Sequence, residues 1–217
     1  MPWKTFWLES TGRERVGLRR YTRDTSIDVP KWTCEEGHHE ALAWTDDEVV
    51  TTVTVRGTRD TAQRVTIAAD DPRWPALCDG CGYSFTDADE RQVWTELLYR
   101  RVDTGELRSL HSRHPAPGAP TAEAGAMWDA VWMPAHWRGA DGISLMVRCP
   151  RNDRDDTKTG SDWPVDMPST NSGGRWSRSG DPRKANVTAS PSISIGEPGK
   201  PGSYHGWLQG GVLSEPL

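Results

Sequence analysis

The chain is short of the residues that usually fill a protein interior. Hydrophobic residues make up 35% of its 217 positions, Phe occurs twice and Tyr four times, and the mean hydropathy is −0.72. No apolar run approaches the ~20 residues that a membrane-crossing helix needs, so no membrane partner is expected. The opening Met-Pro-Trp-Lys-Thr-Phe-Trp has none of the apolar core of a signal peptide, and a cytosolic origin with reduced thiols is expected. Four cysteines are too few for a dense disulfide framework, and two of them stand as C-x-x-C. A basic excess is missing as well: 26 Lys and Arg face 31 Asp and Glu, for a net charge of −5 and a pI near 5.7. Proteins that grip phosphate backbones are usually basic, so nucleic acid is a disfavoured partner.

Tryptophan and turn residues are abundant instead. There are 12 Trp, 21 Gly and 16 Pro, which predicts an interior built from a few large side chains and a chain cut into short pieces. Trp128, Trp132, Trp137 and Trp207 are the first candidates for the core. Residues 4–9 and 14–21 flank Ser10-Thr11-Gly12-Arg13, a hairpin pattern. Strands are expected at 39–44, 49–56 and 64–68, with a turn at Asp46-Asp47. The stretch 49–56 is rich in β-branched residues and is the clearest of them. Thr86-Asp87-Ala88-Asp89-Glu90 offers a capping oxygen and an acidic first turn, predicting a short helix to about Leu98. Asp103-Thr104-Gly105 predicts a hairpin between 99–102 and 106–110. Further strands are expected at 143–147, at 187–195 and on both sides of Gln209-Gly210-Gly211. The fold class read from this pattern is mainly β, with at most one or two short helices. The Pro- and Ala-rich stretch 111–125 is the best boundary between a half at 1–110 and a Trp-rich half at 126–217, which stand as two domains or as one continuous unit.

The chemistry is concentrated in two short knuckles, Cys34-Glu35-Glu36-Gly37-His38 and Cys78-Asp79-Gly80-Cys81-Gly82-Tyr83. A C-x-x-C turn lets two sulfurs reach one ion, and Gly80 and Gly82 permit the bend. Structural zinc takes four Cys or His ligands in a tetrahedron. Cys34, His38, Cys78 and Cys81 are therefore the expected ligands of a structural zinc in a zinc-ribbon-like N-terminal half. His39 is the alternative to His38. Cys149 follows an apolar strand and reads as a buried structural thiol, and His111 and His114 as solvated loop histidines. A redox pair would sit in a βαβ unit, which the sequence does not show.

Enzyme templates fit poorly, and no catalytic residue is assigned. His39-Glu40-Ala41-Leu42-Ala43 has Ala where a zinc-protease helix needs its second His. Gly196-Glu197-Pro198-Gly199-Lys200 is too short for a phosphate loop, and Pro201 replaces its hydroxyl residue. Ser203 and His205 lack the strand–turn–helix setting of a nucleophile elbow. Arg148, Arg151, Arg154, Arg175, Arg178, Arg183 and Lys184, with Trp163 and Trp176, are the residues from which a nucleic-acid surface would be built. Acidic neighbours interleave with the first of them, and the Trp residues are needed for a core.

The C-terminal half carries a resemblance. Ala126-Met127-Trp128-Asp129-Ala130-Val131-Trp132-Met133-Pro134, Asp141 to Pro150, Trp163-Pro164-Val165-Asp166, Gly180-Asp181-Pro182, Ser190-Pro191-Ser192-Ile193 and Tyr204-His205-Gly206-Trp207-Leu208 together resemble a family of actinobacterial phage and prophage proteins. Arg73-Trp74-Pro75 before the second knuckle is similar too, so the resemblance covers most of 70–217. Relatives in that family hold more Cys in the 163–200 region, where this chain has none, so no second metal site is expected. The resemblance brings no activity with it, but it implies a phage context. The expected role is a virion structural protein made in the host cytoplasm, a capsid accessory or decoration protein. Its partners would be phage structural proteins such as the major capsid protein, or further copies of itself. The alternative is a non-virion zinc-ribbon protein that binds nucleic acid or a host protein.

Overall fold

Runs of β-branched and aromatic residues cut by Gly and Pro leave little room for helices, and the computed structural model of the chain is mainly β. It describes residues 2–22, 34, 39–50, 67–110, 116–150, 161–167, 177–196 and 203–215, with the backbone alone at 46–50 and 94. The strands are β1 (Trp3–Lys4), β2 (Phe6–Tyr21), β3 (Glu40–Val50), β4 (Glu90–Arg101), β5 (Leu107–Arg108), β6 (Ala126–Asp129), β7 (Leu145–Cys149), β8 (Ser161–Pro164), β9 (Ser177–Ser179), β10 (Thr188–Ile195), β11 (Tyr204–Gln209) and β12 (Val212–Ser214). The helical pieces among the described residues include the three-residue 3-10 turns Ala135–Trp137 and Pro182–Lys184.

The described residues of Met1–Gly12 and Leu98–Leu217 form one compact unit, and those of Arg13–Thr51 and Ala62–Leu97 a second. The division is therefore not the one between 1–110 and 126–217. Two pairings carry the N-terminal residues into the first unit: Trp3 lies opposite Leu213 on β12, and Phe6 to Leu8 run parallel to Ala126 to Trp128 on β6. The stretch 111–125, read from sequence as a boundary loop, is packed where it is described. Ala116, Ala119, Ala122 and Ala124 are buried, and the Ser109 and Ala122 backbones join at 2.8 Å. Alanine loses no side-chain freedom on burial, so such a segment can lie flat on a core at little cost.

In the first unit, β1-β12-β11-β10-β9 make one antiparallel sheet. The second sheet runs β5-β4-β2-β6-β7-β8, with β2 and β6 parallel. The inward residues meet as one core, with Trp7, Met127, Leu145, Val147 and Trp163 from one sheet and Ile193, Tyr204, Leu208 and Leu213 from the other. Burying each such side chain contributes about 1.5–3 kcal/mol. The Asp103-Thr104-Gly105 hairpin forms as the sequence predicts, with Tyr99 opposite Arg108 and Gly105 at φ +77°. The strands around Gly210-Gly211 form too, with Gln209 opposite Val212. Cys149 is buried and unpaired, and burial pushes its thiol well above the ordinary range.

Tryptophan placement departs from expectation. Trp128 is fully buried, with the Arg148 guanidinium 5.5 Å from its ring. Trp132 is 38% exposed, and Trp137 and Trp207 are half-buried. Trp132 and Trp137 come after β6 has ended at Asp129, Trp132 in a turn closed by the Met133 N–H donating to the Ala130 carbonyl at 2.9 Å and Trp137 at the end of a 3-10 turn. Trp207 lies on the outward side of β11, set by strand alternation. Arg148 and Arg178, weighed as a basic surface, are instead buried in ion pairs with Asp162 and with Asp141 and Asp166.

In the second unit, β2 from Arg13 onward pairs antiparallel with β3, from Arg13 opposite Val50 to Tyr21 opposite Glu40. Ser10-Thr11-Gly12-Arg13 does not turn the chain. The strand runs straight through, Gly12 absorbs a local irregularity at φ +69°, and the Thr11 hydroxyl donates to the Leu98 carbonyl at 2.7 Å. Asp46-Asp47 likewise stays within β3. The expected helix at 86–98 is also replaced. Asp89 accepts from the Thr86 N–H at 2.6 Å and closes a turn, and β4 begins at Glu90. The capping pattern is real but local, and Val93, Trp94 and Thr95 suit a pleated strand better than a helix. Val16, Leu18 and Trp74 form this unit's core with Ile67 and Val93. The Trp74 indole N–H donates to the Ala68 carbonyl at 2.7 Å. Residues 51–56, 64–66, His111, His114, Trp176 and most of 150–161 lie outside the described residues.

Candidate metal centre

The second knuckle is a folded-back turn. Leu77 pairs with Ser84, the Cys78 N–H donates to the Tyr83 carbonyl at 2.9 Å, and the Gly82 N–H donates to the Cys78 carbonyl at 3.0 Å. Gly82 sits at φ +75°, a conformation that a side chain would strain. The knuckle is tied to the start of β3: the Asp79 N–H donates to the Glu40 carbonyl at 3.2 Å, and the Asp79 carboxylate accepts from the Leu42 N–H at 3.3 Å. On the other side, Thr22 and His39 exchange backbone and hydroxyl hydrogen bonds of 3.0 Å, which fixes where β3 begins.

These ties bring Cys34, His39, Cys78 and Cys81 together. One donor atom from each lies within 4.8 Å of all the others. The Cys34 and Cys78 sulfurs are 3.6 Å apart, and Cys81 Sγ is 3.3 Å from His39 Nδ1. A disulfide needs about 2.05 Å, so the sulfurs are not bonded. Bonds of about 2.3 Å to sulfur and 2.0–2.1 Å to nitrogen make the edges of a tetrahedron roughly 3.5–3.8 Å. Those two donor pairs are near that length, and the four residues could hold one metal ion.

Three of the four expected ligands are in this group. The fourth position is taken by His39, the alternative read from the sequence; His38 lies outside the described residues. Spacing alone cannot separate adjacent histidines. The His39 ring stacks on Tyr83, with centroids 4.1 Å apart and planes 4° from parallel. Tyr83 is held in turn by an edge-on contact with Phe85. Cys149 is buried in the core of the first unit and is not in the cluster.

The thiols are electrostatically unequal. Burial pushes Cys78 up, but N–H groups of Gly80, Cys81 and Glu40 point at its sulfur and outweigh it, holding the thiol down to about 6. Hydrogen bonding with Cys78 and Cys81 pushes Cys34 up to about 11. One thiolate is therefore favoured in the free protein, and further ionisation meets its charge. A cation at the centre supplies the compensation that the later ionisations need.

Arg20 braces the turn from below. Its guanidinium donates to the Thr86 carbonyl at 2.7 Å and to the Pro75 carbonyl at 3.3 Å, and lies over Phe85. Gly80 has a second role that only the structure reveals. A Cβ there would stand 2.8 Å from Cys34 Sγ. Gly80→Ala is expected to displace that sulfur and to weaken metal affinity about tenfold or more, measured by chelator competition. Unchanged affinity would mean that Cys34 is not a ligand. Comparison of the chain with protein-family profiles, with curated proteins and with solved structures finds no match.

Proposed function

We propose that the chain is a virion structural protein, a capsid accessory or decoration protein, with a zinc ion that stabilises its fold. The observation that carries the zinc reading is the set of three thiols and one imidazole whose donor atoms all lie within 4.8 Å of one another. That donor set suits zinc, which has no redox chemistry and accepts both sulfur and nitrogen. Four protein ligands complete the coordination and leave no place for a reactive water, so the role is structural and not catalytic. The assignment to the virion is supported by the resemblance of residues 70–217 to actinobacterial phage proteins. A protein partner is favoured over nucleic acid by the charge around the knuckle. Asp70, Asp71, Asp79, Asp87, Asp89 and Glu90 lie in or flank it in sequence, while Arg73 and Arg91 are paired with Asp71 and Asp87. Such a surface repels phosphates.

The test is mass spectrometry of purified phage particles, with zinc quantified on the recombinant protein. A fixed copy ratio in particles and one zinc per chain are the expected results. Absence from particles would overturn the virion reading and bring a host protein or nucleic acid forward. Absence of zinc would overturn the structural-ion reading independently.

A further inference from the structure

The five-stranded sheet of the first unit has a second face. Along β11, Tyr204, Gly206 and Leu208 point into the core, while His205, Trp207 and Gln209 point out. Their cross-strand neighbours are Ser194 opposite His205, Ser214 opposite Trp207 and Val212 opposite Gln209. The His205 and Trp207 rings are 6.0 Å apart and tilted by 34°. His205 Nε2 is 3.4 Å from the Ser192 hydroxyl, a contact across the strands that orients the ring.

Among the described residues, charge at this face is confined to its edges, where Lys4 ends β1 and Glu215 follows β12. The chain as a whole is 26% Asp, Glu, Lys and Arg. Yet β9 to β12 carry a single charged side chain, Arg178, and it is turned away into ion pairs with Asp141 and Asp166. Lys4, opposite Val212 on the short edge strand β1, stands only at the margin. A nucleic-acid or anionic-lipid surface would need cations here. A hydrophobic protein contact would need more than one half-buried indole among serines. Ser, His and Gln both donate and accept hydrogen bonds, as sugar hydroxyls do. The electron-rich face of an indole suits the weakly positive C–H edge of a sugar ring.

We propose that this outward face, centred on Trp207 with His205, Gln209, Ser192, Ser194 and Ser214, binds an uncharged polyhydroxyl ligand, a neutral glycan. The inference stands on the composition and register of the sheet and does not rest on the virion reading. The matching of an uncharged, hydroxyl-rich surface to an uncharged, hydroxyl-rich ligand is what selects this occupant.

Affinity electrophoresis of the full chain through gels containing laminarin, dextran or arabinogalactan tests it, with heparin as the charged comparator. Retardation by at least one neutral polysaccharide is expected, and not by heparin. Trp207→Ala should weaken it about tenfold or more. Because Trp207 is half-buried, the exposed variants His205→Ala and Gln209→Ala are run beside it, with thermal melts confirming that each is folded; each should weaken retardation measurably. No retardation by any neutral polysaccharide would overturn the proposal, as would retardation unchanged in all three variants or a preference for heparin. A dimer in solution dissolved by Trp207→Ala would also overturn it, showing that a second copy covers the face.

Discussion

Cys78→Ser is expected to take the purified protein from one metal ion per chain to none and to unfold the second unit. Cys78 is the most buried of the four donors, and its sulfur is the one that backbone N–H groups already hold as a thiolate. Serine retains the shape but offers a hydroxyl that does not ionise in the same range. The apparent binding energy of a structural zinc is about 10–16 kcal/mol at neutral pH, comparable with the whole stability of a small domain. The second unit has little to replace it: its described core is Val16, Leu18 and Trp74, with Ile67 and Val93 partly buried against them. Hydrogen exchange should therefore show protection lost across residues 13–21 and 40–50. The same loss should follow a strong chelator on the unmodified protein. Cys149→Ser is the control and should keep full metal content. His39→Ala should lose the metal and His38→Ala should keep it, which decides the fourth ligand. Full metal content in Cys78→Ser would refute the assignment.

Three of the four residues of the candidate metal site are legible in the sequence because the rules that bring them together are local. C-x-x-C with glycines beside it specifies a turn whose two sulfurs converge, whatever surrounds it. The placement of His39 is not local in the same way, since its ring stacks on Tyr83, which lies far away in the sequence. The same distinction explains the fold. The Asp103-Thr104-Gly105 and Gly210-Gly211 hairpins form because each turn joins strands that pair with each other. The Ser10-Thr11-Gly12-Arg13 tetrapeptide has the same local preference. It is overruled because its flanks find other partners, Ala126 to Trp128 on one side and β3 on the other. Thr86 to Glu90 departs from its helical pattern for a related reason. The capping oxygen at Asp89 satisfies the Thr86 N–H equally well in a turn, and the residues that follow are committed to a sheet. Tryptophan was the weakest guide. An indole is large enough to count as core and polar enough to sit at a surface, so composition alone could not place Trp132 or Trp207.

Arg178→Ala should be the most damaging single change in the first unit outside its apolar core. The guanidinium forks onto Asp141 at 2.6 and 2.9 Å and reaches Asp166 at 2.7 Å, and its side chain is only 8% exposed. Each carboxylate also orders backbone: Asp141 accepts from the Ile143 N–H at 3.1 Å and Asp166 from the Leu145 N–H at 2.9 Å. One side chain on β9 thereby fixes the turn that leads into β7. Removing it leaves Asp166, itself 8% exposed, as a buried anion without its cation. Breaking a buried pair from one side costs about 3–5 kcal/mol, and for a chain of this size that lowers the melting temperature by about 10 °C. Arg178→Lys should recover only part of the loss, because an ammonium cannot fork between two carboxylates. Adding Asp166→Asn to Arg178→Ala should recover stability, because the orphaned charge is then gone. The pH dependence has a definite sign. Burial pushes the Asp141 carboxyl up, but Arg178 and the Ile143 N–H outweigh it and hold it below the ordinary range. A depressed carboxyl contributes stability that is fully present above its unfolded value near 4 and is lost as pH falls through the folded value. The deficit of Arg178→Ala relative to the unmodified chain should therefore be largest at neutral pH and shrink below about pH 4. Urea midpoints of the two proteins from pH 7 down to pH 3 would show it. A deficit that stays constant over that range would mean that Arg178 acts through packing alone.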